Sequence, residues 1–304
     1  MEYVLETNAL CKSYGNFNAL NNLTMRIPKG SIYGFVGKNG AGKTTLIRLI
    51  CGLQKPNSGE YLLYGKKYND PEIGKSRCRT GAVVENPSIY MGMTAMGNLK
   101  QQALLLGLPS FQELSDILAL VGLQDTGRKK VRAFSLGMRQ RLGIAIALVG
   151  NPDFLILDEP TNGLDPQGIV EIRELILKLN RERQVTILIS SHILDELSRL
   201  ATHYGFVDKG HLLKELTASE LDEACRKCMR ATVSNVTALV RVLDSMQVSY
   251  KILSETAADI YADIPVSRLA LALDKENCEI LSLQEHDENL EGYYMELMGG
   301  ADHE

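Results

Sequence analysis

Short apolar runs alternate with longer amphipathic stretches over the first two thirds of the chain. Residues 3–7 and 23–27 show partial two-residue alternation and predict short strands. Residues 31–36 form a compact apolar run closing on Gly37 and predict a buried strand. Residues 42–51 predict a helix stopped by Gly52. Residues 95–149 follow a helical period, broken at 107–109, at Gly122 and across 125–134. Residues 154–157 and 185–189 predict buried parallel strands, with a helix over 166–183 between them. Asp165 suits the N-cap of that helix and Pro166 its first turn; Ile169, Ile172, Leu175, Ile176 and Leu179 form its apolar stripe. Strands alternating with helices predict a parallel α/β sheet covered by helices on both faces.

After residue 216 the pattern changes. Strands are predicted at 229–233, 250–253, 260–263 and 279–283, helices at 236–246, 266–273 and 290–298, and a turn at 254–259. The order β-α-β-β-α-β predicts a small α+β, ferredoxin-like accessory domain over 217–304, following a larger domain over 1–216.

Composition narrows the function. Hydrophobic residues are 45% and charged residues 23% of the chain, an ordinary globular balance. With 33 basic against 37 acidic side chains, no Trp and 6% aromatic residues, no nucleic-acid partner is expected, for want of a basic field or a base-stacking platform. The longest apolar runs, 142–149 and 154–157, fall far short of the ~20 residues of a membrane-spanning helix. The first ten residues carry two glutamates and no basic segment, so no secretory leader is expected. Of six cysteines, only Cys225 and Cys228 form a C-x-x-C, and no second pair completes a zinc site; free thiols of a cytosolic protein are expected.

The sharpest chemical signal is Gly37-Lys38-Asn39-Gly40-Ala41-Gly42-Lys43-Thr44, which fits G-x-x-x-x-G-K-[ST] between a predicted strand and a predicted helix. Small residues let backbone N–H groups turn inward around an anion, and the helix N-terminus adds positive potential. Lys43 is placed to reach β- and γ-phosphates, and Thr44 to offer its hydroxyl to Mg2+. A Rossmann dinucleotide site would need G-x-G-x-x-G and leaves Lys43-Thr44 unexplained. The second signal is Phe154-Leu155-Ile156-Leu157-Asp158-Glu159, a buried strand delivering two carboxylates at its C-terminal end, where parallel sheets bind ligands. Asp158 is placed to hold Mg2+, and Glu159 to orient and deprotonate water.

These residues bring out a resemblance to the ATP-binding subunits of ABC transporters, with motifs in the family's order across 1–216. Phe134-Ser135-Leu136-Gly137-Met138-Arg139-Gln140-Arg141 resembles the signature segment, Asn162-Gly163-Leu164-Asp165 the D-loop, His192 the switch histidine, and Tyr14 the aromatic residue that stacks on adenine. The resemblance implies a P-loop NTPase with a parallel core sheet, an antiparallel β subdomain and a helical subdomain. It implies ATP as the nucleotide, held by Tyr14, Gly37, Asn39, Gly40, Ala41, Gly42, Lys43, Thr44 and Thr45. Thr44, Glu85 and Asp158 would hold Mg2+, and Glu159 and His192 would be catalytic. It further implies a second ATP-binding subunit, identical or not, paired head to tail around two ATP. Ser135, Gly137 and Asp165 would meet the partner's nucleotide, with the helix behind the signature running over 139–149. A separate integral membrane permease is the remaining implied partner, which would place the chain peripherally at the cytoplasmic face of the membrane.

Two motifs depart from the common pattern. Leu136 and Met138 stand where Gly and Gln are usual, and Glu85 stands at the Q-loop glutamine. Glu85 is expected to join Asp158 and Glu159 around one Mg2+ when nucleotide is bound. Both departures, and the segment Asn289-Leu290-Glu291-Gly292-Tyr293-Tyr294, resemble the bacitracin and lantibiotic-immunity branch, which implies export of a peptide antibiotic. Ile89, Tyr90, Met91, Met93 and Met96 suit either a docking surface for the membrane partner or packing of the helical subdomain. Two other functions fit the phosphate loop. A soluble ABC ATPase acting on ribosomes or nucleic acid usually carries two ATPase halves per chain, and a P-loop kinase gives the Ser135–Gly137 segment no role.

Overall fold

The computed structural model describes residues 2–225, 228–262, 264–286, 292–295 and 297. The chain separates into two compact units, Met1–Ala218 and Ser219–Glu304.

The first unit opens with β1 (Tyr3–Tyr14), β2 (Phe17–Leu23) and β3 (Arg26–Pro28), then β4 (Ile32–Val36) and α1 (Lys43–Ile50). β5 (Ser58–Leu63) and β6 (Lys66–Lys67) complete an antiparallel sheet of order β2-β1-β5-β6, with β3 also on β1. α2 (Ile73–Cys78) and β7 (Thr80–Val83) precede a helical segment made of α3 (Ala95–Leu105), α4 (Leu114–Leu120) and α5 (Leu136–Leu148). The chain then returns through β8 (Phe154–Asp158), α6 (Pro166–Arg183), β9 (Thr186–Ser191), α7 (Leu194–Ser198), β10 (His203–Asp208) and β11 (His211–Thr217). The second sheet runs β11-β10-β4-β9-β8-β7, parallel except for the edge strand β11. Every residue of β4, β8 and β9 is buried, as expected for parallel strands covered on both faces. Leu46, Ile47, Leu49 and Ile50 of α1 pack into the same apolar core as Phe35, Phe154 and Ile156.

The amino-terminal strands differ from the expectation of two short pieces at 3–7 and 23–27. β1 runs for 12 residues because irregular pairing between Asn8 and Cys11, with Ala9 at φ 46°, breaks the two-residue alternation without ending the strand.

After α8 (Ala218–Ala224) come β12 (Cys228–Val233), α9 (Val236–Ser245), β13 (Tyr250–Ile252), β14 (Ala257–Ile260), α10 (Val266–Asp274) and β15 (Ile280–His286). The sheet β13-β14-β12-β15 is antiparallel throughout, the ferredoxin-like arrangement, with Leu239, Leu243, Leu269 and Leu273 of the helices in its core. β14 lies earlier than the expected 260–263, because Asp259 is a strand residue and not part of a turn. It is 5% exposed and accepts two hydrogen bonds from Arg230 on β12, at 2.7 and 3.0 Å. Residues 292–295 and 297 are helical; Asp263, residues 296 and 298 of the expected 290–298 helix, and Asn289, Leu290 and Glu291 of the carboxy-terminal motif lie outside the described residues.

Candidate functional site

The phosphate loop is shaped by what its glycines exclude. A Cβ on Gly37 would meet the Val207 carbonyl oxygen at 2.6 Å. Gly42, at φ 107°, sits where a Cβ would meet the Ala19 carbonyl oxygen at 2.4 Å. The loop is thereby pressed between β10 and β2. No side chain caps the N-terminus of α1 and its first turn has no acidic residue, so its N–H groups stay available to an anion. Lys43, 6% exposed, points back into the loop. Its Nζ donates to the Gly37 carbonyl at 2.5 Å and the Lys38 carbonyl at 3.2 Å, and lies 3.2 Å from Glu159 Oε1.

The two carboxylates leave β8 in different directions. Asp158 is 1% exposed; its Oδ2 accepts from Thr44 Oγ1 at 2.9 Å and its Oδ1 from Ser190 Oγ at 2.5 Å. Glu159 follows in the left-handed region, at φ 49°, with its N–H donating to the Ser190 backbone oxygen and side-chain Oγ. A non-glycine residue held there stores backbone strain, a feature concentrated at functional sites. The turn brings Glu159 Oε2 to 2.7 Å from His192 Nδ1. Thr44 and Asp158 present only hard oxygen ligands, which suit Mg2+. No group of three or more His, Cys, Asp or Glu able to hold a metal occurs among the described residues. That donor set matches an ion that keeps waters and takes phosphate oxygens from the nucleotide.

Lys43, Thr44, Thr45, Asn39, Gly40, Gly42, Glu159 and His192 line one cleft of about 340 Å³ together with Phe17 and Asn162. Gly37 and Ala41 stand behind it: Gly37 supplies its carbonyl to Lys43, and Ala41 is 3% exposed. Tyr14 does not line the cleft. Its hydroxyl donates to Gln54, and Phe17, its cross-strand partner on β2, takes the lining position. A neighbouring cleft of about 470 Å³ is lined by Thr44, Asp158, Glu159, Glu85, Arg139 and Asn162, among others.

Glu85 lines that second cleft with Thr44, Asp158 and Glu159, and its carboxylate accepts from Arg48 Nη2 at 2.5 Å. The helix behind the signature begins at Leu136 and not at 139, since the Ser135 hydroxyl accepts from Met138 N at 3.2 Å and caps it. Ser135 therefore caps α5, and Gly137 lies in that helix's first turn. Asp165 caps α6 by accepting from Gly168 N at 3.0 Å and lines neither cleft; Asn162, from the same segment, lines both. Ser190, Phe17 and Arg48 escaped sequence reasoning, and only the position of Ser190 at the end of a buried parallel strand carries a signal for it. All six cysteines are free thiols. Burial pushes that of Cys51, just after α1, up to about 12, against the pull of Arg77 and with Asp158 adding to the rise.

Residues 20–162 match the family model described as "ABC transporter". The bacitracin transport ATP-binding protein BcrA of Bacillus licheniformis is 39% identical over 306 residues, 99% of each chain. The lantibiotic transport ATP-binding protein SrtF of Streptococcus pyogenes is 43% identical over 219 residues, 71% of this chain and 93% of that one. Among solved structures, cbiO1 of Clostridium perfringens, part of the transporter complex cbiONQ, superposes with a TM-score of 0.66 at 28% identity, covering 73% of this chain and 92% of that one. The dimeric cassette MJ0796 bound to ADP and Pi does so with a TM-score of 0.64 at 25% identity, covering 70% and 98%. With its phosphate loop, paired carboxylates and relatives aligned over nearly its whole length, the chain belongs to the ATP-binding, ATP-hydrolysing subunits of ABC transporters.

Proposed function

We propose that this ATPase drives a separate membrane permease exporting a peptide antibiotic or similar amphipathic molecule. It would work as a pair of ATP-binding subunits closing over two nucleotides at the cytoplasmic face of the membrane. The names of BcrA and SrtF support the substrate class. No helix among the described residues is long and apolar enough to cross a membrane, which suits a division of labour between chains.

The observation that carries the reading is the position of Glu159 between Lys43 and His192. A triphosphate tail entering the loop gives the Lys43 ammonium a stronger partner than the loop carbonyls and Glu159. Glu159 is then free to orient a water molecule toward the γ-phosphorus and accept its proton as the bond to ADP breaks. His192 steers the Glu159 carboxylate through its Nδ1 contact and faces the γ-phosphate. Thr44 and Asp158 would hold Mg2+, which when bound neutralises charge on the phosphate oxygens. Ser135 and the Gly137 N–H, on the opposite subunit, would complete the anion's coordination on closure. The 217–304 segment is proposed as an accessory domain with a regulatory or dimer-contact role.

Isolation of the chain from native membranes in mild detergent tests this function. Co-purification of an integral membrane subunit is expected. Recovery with ribosomes, or transfer of the γ-phosphoryl group to an acceptor other than water, would replace it with one of the alternatives.

A further inference from the structure

The second cleft, beside the phosphate loop, holds a cation that the proposed mechanism leaves unused. Arg139, in the first turn of α5, lines it together with Glu85, Asp158 and Glu159. Its Nε is buried without a hydrogen-bond partner, and its Nη2 reaches the Arg132 carbonyl only at 3.5 Å. A guanidinium carries five N–H donors, and a buried donor without an acceptor is costly. This side chain is short of acceptors in a cleft rich in carboxylates.

Two of the three carboxylates are engaged at both oxygens. Asp158 accepts from Thr44 and Ser190, and Glu159 meets Lys43 and His192. Glu85 is engaged at Oε1 alone among the described residues, by Arg48 on α1, and its side chain is 55% exposed. Packing sets α5 against the loop that carries Glu85. A Cβ on Gly143 would meet the Pro87 side chain at 2.6 Å, so helix and loop touch two residues beyond Glu85. Arg139 lies four residues before Gly143 and hence on the same face of the helix. Glu85 itself is held in the left-handed region, at φ 56°, a strained conformation of the kind concentrated at functional sites.

We infer that Arg139 is a positioning residue for ATP hydrolysis, its guanidinium pairing with the Glu85 carboxylate as this cleft closes. Glu85 then bridges Arg48 and Arg139, tying the helix that follows the phosphate loop to the helix that Ser135 caps. An arginine–carboxylate pair is strong and directional, so the bridge fixes the orientation of α5 and of the Ser135 hydroxyl and Gly137 N–H at its start. Arg139 touches no reacting atom in this scheme. The pair also gives the glutamate at position 85 a role that a neutral glutamine would fill less well. The inference rests on the proposed mechanism, in which the start of α5 meets the opposite nucleotide.

The test is a double-mutant cycle on steady-state ATP hydrolysis by the full chain, with Glu85→Ala, Arg139→Gln and the two combined. All are compared at a temperature where circular dichroism shows them folded. Each single change should lower kcat by roughly 5–10-fold and leave the KM for ATP within about 2-fold, since the phosphate loop is untouched. The combined variant should be no slower than the slower single one. Arg139→Lys keeps the charge and should lose less than Arg139→Gln. Losses that multiply in the combined variant, a lysine variant as slow as the glutamine one, or wild-type turnover in either single variant would each overturn the inference. So would a raised KM in Arg139→Gln, which would make Arg139 a direct ligand of the nucleotide. Failure of this cycle leaves Lys43 and Glu159 in their proposed roles, because their own substitutions stop turnover whatever the partner of Arg139.

Discussion

The Glu159 carboxylate holds the buried Lys43 ammonium at 3.2 Å, so the proposed base and the proposed phosphate ligand are tied to each other. On the proposed mechanism the nucleotide separates them before hydrolysis begins. Glu159→Gln removes the base and loosens this tie at once. Hydrolysis should fall by about 10²–10⁴-fold, while ATP affinity is kept or improved. Single-turnover phosphate release together with equilibrium nucleotide binding checks both halves of that expectation.

Ser190 braces the Asp158 carboxylate and the Glu159 backbone, donating to Asp158 Oδ1 and accepting from the Glu159 N–H. Ser190→Ala leaves a buried carboxylate oxygen short of a donor. A loss of about 1.5–3 kcal/mol of stability is expected, lowering the melting temperature by roughly 4–8 °C. Turnover should also drop with little change in the KM for ATP, since the phosphate loop itself is untouched. A variant with wild-type melting and turnover would show that the brace contributes nothing.

Tyr14 and Phe17 face each other across the β1–β2 turn, and only Phe17 lines the nucleotide cleft. We propose that adenine stacks on Phe17, with Tyr14 beside it on β1. Loss of a stacked ring costs about 1–3 kcal/mol, or roughly 5–150-fold in affinity. Tyr14→Ala and Phe17→Ala should each weaken ATP binding within that range, and Tyr14→Phe should not, because the ring face and not the hydroxyl makes the contact. Nucleotide titrations in which Phe17→Ala matches wild type would assign the stacking to Tyr14 alone.

Arg48 occupies the Glu85 carboxylate, whereas Asp158 is bonded to Thr44. Glu85→Gln should therefore shift the Mg2+ dependence of hydrolysis far less than Asp158→Asn. Magnesium titrations of the two variants at saturating ATP compare them directly. Equal shifts would place Glu85 among the ion's ligands after all.

The site was legible where local chemistry dictates local shape. The phosphate loop, the strand carrying Asp158 and Glu159, and the helix capped by Asp165 can all be read from spacing, because each is a short segment whose function requires its conformation. Strands β7 and β10 were hidden by their own glycines. Gly81 and Gly205 look like strand breakers, yet a Cβ at those positions would meet the Ala147 carbonyl at 2.3 Å and the Tyr33 hydroxyl at 2.3 Å. Close packing by distant residues requires glycine there, and no local pattern reveals it. Partnerships such as Ser190 with Asp158 or Arg48 with Glu85 were unreadable for a related reason: they span 32 and 37 residues and arise only when the sheet assembles. The strand position of Asp259 depended in the same way on Arg230, 29 residues away.

The most direct measurement is nucleotide affinity and turnover in Lys43→Ala. The Lys43 ammonium contacts the loop carbonyls and Glu159 while it awaits phosphate. Removing it should weaken ATP binding by roughly 10–100-fold and abolish steady-state phosphate release, with the fold intact by circular dichroism. Wild-type affinity and turnover in this variant would contradict the assignment of the loop as the ATP site.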